Sequence, residues 1–262
     1  MPRPGVSFLA VTPGMSDTTV SLLVAIISSI VALTSLAWQA RTQRAQRAED
    51  RAAEAERLVR RYTEPVVYAA DQLVNRVDNM LNTQFLRQYG TTRREHVVHS
   101  TTFAVAELLG WMELLRQDQQ FVGLGEEDST RRLNEALARI GFTFSTNTIT
   151  GPDGRAAPFM LWRQDQRAIG EVMIDWHEGS GRCLGFARFV GRLEDDAGFH
   201  RWFDRLLADV EATVDDHEPA RPRLTALRDA AKGLLDLLDP NEVRVPRRPP
   251  PGRPACGDDA TG

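Results

Sequence analysis

Two histidines one helical turn apart, His96-Val97-Val98-His99, are the nearest approach to a metal motif in this sequence. An i, i+3 spacing puts both imidazoles on one helix face, where a divalent cation could take them as ligands. Two ligands do not close a site. Glu95 and Glu107 are the acids nearby, and no E-x-x-H pair of the di-iron type accompanies them. Surface histidines near a helix start are the ordinary alternative, so neither a metal nor another cofactor is expected. A second constellation is polar. Trp111, Glu113 and Arg116 fall in one predicted helix and Gln166, Arg167 and Glu171 in a later one. Brought together they make a buried network or a ligand cleft. Held apart, Trp111 is core and the charges are solvated pairs worth a fraction of a kcal/mol. Cys183 has no local histidine to activate it, which favours a small buried hydrophobe over a nucleophile.

The familiar catalytic signatures are absent from the sequence. There is no G-x-S-x-G, no H-E-x-x-H, no G-x-G-x-x-G opening a helix and no G-x-x-x-x-G-K-[ST]. A P-loop enzyme or a kinase is excluded, because Lys232 is the sole lysine and follows no glycine-rich loop. All other basic residues are arginines, a skew that reads as GC-rich bacterial coding. A net charge of −4 and a pI near 5.8, with signs intermixed, also argue against a nucleic-acid surface, for which a pI above about 9 is usual. Cys183 and Cys256 are far apart and form no disulfide framework, which fits a reducing compartment.

The elements that carry these residues begin with a candidate membrane span. Thr18 to Ala40 contains no charge, is bounded by Asp17 and Arg41, and is long enough to cross a hydrocarbon core of about 30 Å. Trp38 lies where an indole ring prefers the headgroup region. A cleaved signal peptide fits less well, because a basic n-region and an A-x-A-like cleavage site are both missing. Arg41, Arg44, Arg47 and Arg51 follow the span while only Arg3 precedes it, so the N-terminus is expected outside and the rest in the cytoplasm of a bacterial cell. Residues 1–17 show no pattern of their own, and Met15 is an alternative start.

Residues 41–62 read as a helical stalk. Ala45, Ala48, Ala52, Ala55, Val59 and Tyr62 make a short heptad stripe, and Ser21, Ala25 and Ser29 make a small-residue row within the span. Close approach of two copies along both rows would give a parallel homodimer; a solvated monomeric stalk is the alternative. Residues 63–239 read as an α-rich, bundle-like domain. Helices are expected over 63–89, with Gly90 as the stop, then 93–121, 129–140 with Gly141 as the stop, 164–175, 195–216 and 224–238. The first two pair antiparallel. A small hairpin over 142–161 is suggested by Gly151-Pro152-Asp153-Gly154, and 182–190 is ambiguous between strand and helix. Residues 240–262 read as a disordered tail in which Arg247-Arg248-Pro249-Pro250-Pro251 is a candidate polyproline ligand.

Four segments, Ser100-Thr101-Thr102, Leu109-Gly110-Trp111-Met112-Glu113, Gln166-Arg167-Ala168-Ile169-Gly170-Glu171 and Trp202-Phe203, resemble parts of single-pass membrane-anchored proteins of high-GC bacteria that have no assigned function. The resemblance covers residues 62–238, supports these domain limits and implies no catalytic site. The expectation is thus a mainly α protein with one N-terminal transmembrane helix. It would act as a membrane-tethered interaction or regulatory module with a protein partner, and a membrane-anchored ligand-binding protein or enzyme is the second reading.

Overall fold

The computed structural model describes residues 61–122, 128–177 and 180–246, together with helical positions between 35 and 46. They belong to two compact units, Met1–Ala52 and Ala53–Gly262. Among the described residues no helix is long and apolar enough to cross a membrane. The expected span at 18–40 lies almost wholly outside them, as do most of the stalk and the tail from residue 247. Ser21, Ala25, Ser29, Ala45, Ala48, Ala52 and Ala55 are likewise outside.

The second unit is mainly helical with one two-stranded hairpin. α1, described over 61–81, runs antiparallel to α3 (Arg94–Val122): the Tyr62 ring lies 6.3 Å from that of Trp111, and the Thr101 hydroxyl donates to Met80 Sδ at 3.7 Å. The first expected helix is broken at Asn82, whose extended backbone and side-chain acceptor for the Gln84 N–H start a separate α2 (Thr83–Thr92). Gly90 is no stop. It sits inside α2, where a Cβ would come within 2.9 Å of the Val214 side chain, and the helix ends at Arg93 instead.

α4 (Asp128–Ser145) runs straight through Gly141, beyond the expected end at Ile140. No hairpin forms over 142–161, because 142–145 are helical and only one isolated bridge, Thr150 to Ala156, spans the Gly151–Gly154 turn. Irregular backbone can be buried only if its polar groups find partners. Arg223, wholly buried, supplies them: its guanidinium donates to the carbonyls of Thr143, Thr146 (2.9 Å) and Ala157 (3.2 Å). Phe159, buried with φ of 63°, has its N–H accepted by Asp209 Oδ2 at 2.7 Å.

The hairpin forms further on. α5 (Arg163–Val172) ends earlier than expected, and Ile174–His177 (β1) pairs antiparallel with Ser180–Cys183 (β2), with Ile174 opposite Cys183. The ambiguous 182–190 segment divides between the end of β2 and α6 (Phe186–Asp195). The single helix expected over 195–216 is instead α7 (Ala197–His200), capped by Asp196, then a turn and α8 (Asp204–Asp215). The turn lets Phe199 and Phe203 both face Phe189, at 5.8 and 5.2 Å between centroids. Phe103 joins them from α3, in tilted and edge-on contacts that aromatic pairs prefer. α9 (Arg221–Leu238) packs on α4. α3 is the central element, meeting α2, α5, α6, α8 and β2.

Candidate functional site

α3 and α5 cross at two glycines. A Cβ on Gly170 would lie 2.7 Å from Glu113 Cβ and 2.8 Å from the Leu109 carbonyl oxygen, and one on Gly110 would lie 2.2 Å from Cys183 Sγ. Only glycine permits backbones to approach so closely. The crossing seats Glu113 beneath α5 with a side chain 3% exposed. Gln166, also buried, reaches across to α4, donating from Nε2 to the carbonyls of Gly141 (3.0 Å) and Leu161 (2.9 Å). A cleft of about 310 Å³ remains between α3, α4 and α5. Leu109, Met112, Leu137 and Ala138 give it an apolar lining, and Glu113, Arg116, Asn134, Arg163, Gln166 and Arg167 a polar one.

The six residues expected to converge therefore separate. Glu113, Arg116, Gln166 and Arg167 line the cleft. Glu171 is solvent-exposed and acts on Arg116 through its charge alone. Trp111 faces away, against Tyr62. Glu113 accepts two hydrogen bonds from Arg116 and one from Gln117 at 2.9 Å, with Arg167 Nε at 3.9 Å. Burial pushes its carboxyl upward, but the hydrogen bonds and the charges of Arg116 and Arg167 outweigh this and hold it below the usual carboxylate range. It is thus a fixed anion rather than a proton acceptor poised for neutral pH. Three guanidiniums against one buried carboxylate leave the polar lining cationic.

No known protein family, curated protein or solved structure matches this chain. What the cleft can bind follows from its own chemistry.

His96 and His99 take different surroundings. The His96 ring packs edge-on against Phe186 at 5.9 Å. His99 gathers with Glu95 and with Glu194 of α6, their ligand atoms within 4.8 Å of one another. Both carboxylates are solvent-exposed, and among the described residues no hydrogen bond orients the imidazole, so the trio carries no metal assignment. Glu107 lies elsewhere, half-buried, with Oε2 unpaired and its carboxyl pushed up to about 7 by burial. Cys183 donates to the Glu107 carbonyl at 3.5 Å, and burial followed by the Glu107 charge raises its thiol to about 12, which leaves it a poor nucleophile.

Arg163 and the α4 wall escaped the sequence reading. A signal for each was present: Arg163, Gln166, Arg167 and Gly170 form an i, i+3, i+4, i+7 stripe on α5, and Asn134, Leu137, Ala138 and Gly141 repeat that spacing on α4. Nothing in either stripe states that the two meet.

Proposed function

We propose that this chain is a single-pass membrane-anchored protein whose helical domain, on the cytoplasmic face, binds a small amphipathic anion in the α3–α4–α5 cleft. The observation that carries the binding reading is that Arg116, Arg163 and Arg167, with one buried carboxylate, line the same cleft as Leu109, Met112, Leu137 and Ala138. Guanidiniums favour carboxylates and phosphates by charge-assisted hydrogen bonds, and the apolar walls favour an alkyl or aromatic body. The ionised state of Glu113 argues for binding over acid–base catalysis. The anchor rests on the uncharged 18–40 segment and its arginine-rich C-terminal flank, and the high exposure of Leu36 and Trp38 is consistent with a lipid-facing position.

Calorimetric titration of the full-length protein with alkyl carboxylates of increasing length tests the reading. Affinity should rise about fourfold per methylene until the walls are covered. It should fall about tenfold or more in Arg163→Ala/Arg167→Ala. Absence of any length dependence, or binding that survives the double variant, would remove the cleft from consideration. A protein-interaction module is the second reading. It is favoured by Phe142 and Trp162, each 56% exposed and adjacent in sequence to the cleft residues Gly141 and Arg163. Phe142→Asp should then abolish a partner complex while leaving carboxylate affinity intact.

A further inference from the structure

Across α3 from the cleft lies a second cavity, of about 370 Å³, between α1, α3 and α6. The two sites use opposite faces of α3: residues 96, 100, 103 and 104 line this one, and 109, 112, 113 and 116 the other, about half a turn apart at about 100° per residue. Its character differs too. Arg76 of α1 lines it half-buried, and no carboxylate among the described residues neutralises it. Around it are the side-chain amides of Gln72 and Asn79 and the imidazole of His96, while Phe103 and Phe186, packed edge-on at 5.4 Å, form an aromatic wall.

Among the described residues the other buried groups that stay charged are compensated, and Glu107, buried without a partner, is instead pushed up to about 7 and can meet burial by keeping its proton. Glu113 has Arg116, Arg223 has three carbonyls, and Asp239, 6% exposed, accepts three backbone N–H groups at 3.0 Å from Val243, Arg244 and Val245. Arg76 alone among these is desolvated with nothing in return, and its guanidinium is pushed down by burial. An unpaired, partly desolvated cation is costly in the empty protein and attractive to an anion. The fork of a guanidinium suits an oxyanion, and neighbouring amide and imidazole donors add further hydrogen bonds.

We infer that the cavity between α1, α3 and α6 is a phosphate-monoester site in which Arg76 takes the phosphate, Asn79, Gln72 and His96 surround it, and Phe103 and Phe186 receive an aromatic or apolar substituent. The monoester is either a soluble metabolite or a lipid headgroup, since the phosphate chemistry is shared. The site does not depend on the cleft described above, and its test is separable from that one.

Full-length protein in detergent is titrated with phenyl phosphate, inorganic phosphate and short-chain phosphatidate, following thermal denaturation and, by calorimetry, affinity. Phenyl phosphate should bind more tightly than inorganic phosphate because of the aromatic wall, and Arg76→Met should weaken it by about tenfold to a hundredfold. Arg76→Met should also melt no lower than the wild type without ligand, because it removes an unpaired charge; a structural arginine would show a clear drop. Arg163→Ala/Arg167→Ala should leave phenyl phosphate affinity unchanged. Binding of phosphatidate alone through Arg76 supports the site and assigns it to a headgroup; binding of phenyl phosphate supports it and assigns a soluble ligand. Failure of both to bind, retention of affinity in Arg76→Met, or loss in the cleft variant instead would overturn it.

Discussion

Glu107 and Glu113 lie six positions apart on α3 and are driven in opposite directions by their neighbours. Glu113 has arginines; Glu107 has burial and an unpaired oxygen. The folded protein therefore holds a proton on Glu107 that the unfolded chain releases at lower pH, so stability falls as pH rises from the ordinary carboxylate range through about 7. Glu107→Gln should remove that slope. Denaturant melts should show the variant equal to wild type near pH 4 and more stable at pH 8 by about 1–2 kcal/mol, a figure reduced for the solvent that reaches this half-buried group. Glu113 has the reverse sign. Its contribution is present above the unfolded carboxylate range and is lost as pH falls through its depressed folded value. Glu113→Gln should cost about 1–2 kcal/mol at pH 7, with the gap closing under acid conditions in the same melts.

At the scale of elements, the cleft exists because α3 and α5 touch at glycine. Gly170→Ala places a methyl group against the Leu109 carbonyl, which is backbone and cannot rotate away, so the helices must separate. Overpacking of this kind costs about 1–3 kcal/mol, more than the helix propensity that alanine recovers. Gly233→Ala is the opposite case: it lies inside α9 with nothing within 4 Å of the added carbon, and it should stabilise the protein by about 1 kcal/mol. Thermal melts of the two variants should move in opposite directions. A downward shift for both would mean that α9 has an unseen contact; an upward shift for Gly170→Ala would mean that the α3–α5 crossing is looser than its geometry implies.

For the whole molecule, one buried side chain ties the irregular 146–162 segment to α9. Arg223→Met retains much of the volume but strands the carbonyls of Thr143, Thr146 and Ala157, and should cost about 3–5 kcal/mol, seen as a loss of soluble expression or a collapse of the melting transition. The proposed anchor has its own test. Full-length protein should stay with bacterial membranes after alkaline carbonate washing. An impermeant maleimide should label Ser16→Cys in intact cells and reach Cys256 only after permeabilisation. Extraction by carbonate, or labelling of Cys256 in intact cells, would refute the single-pass, N-terminus-out topology. Crosslinking through Ala48→Cys tests the proposed dimer; exclusively monomeric product in native membranes counts against it.

The sequence by itself determined the mainly helical character, because apolar residues at three- and four-residue intervals bury a face only as a helix. It also placed Glu113, Gln166 and Arg167 among the residues to watch. Boundaries were less legible where side chains from distant elements decide them. Gly90 and Gly141 look like stops until Val214 and Gln166 are seen packed against them. The 142–161 segment has hairpin residues but holds its loop through Arg223, some 80 positions away at Thr143. Pairing between α3, α4 and α5 was also decided in three dimensions: a stripe shows which face of a helix is buried, not which helix covers it. Arg76 is the extreme case. Among the apolar repeats of α1 it reads as one more surface arginine, and only the packing of α1, α3 and α6 takes it from water without supplying a counter-charge.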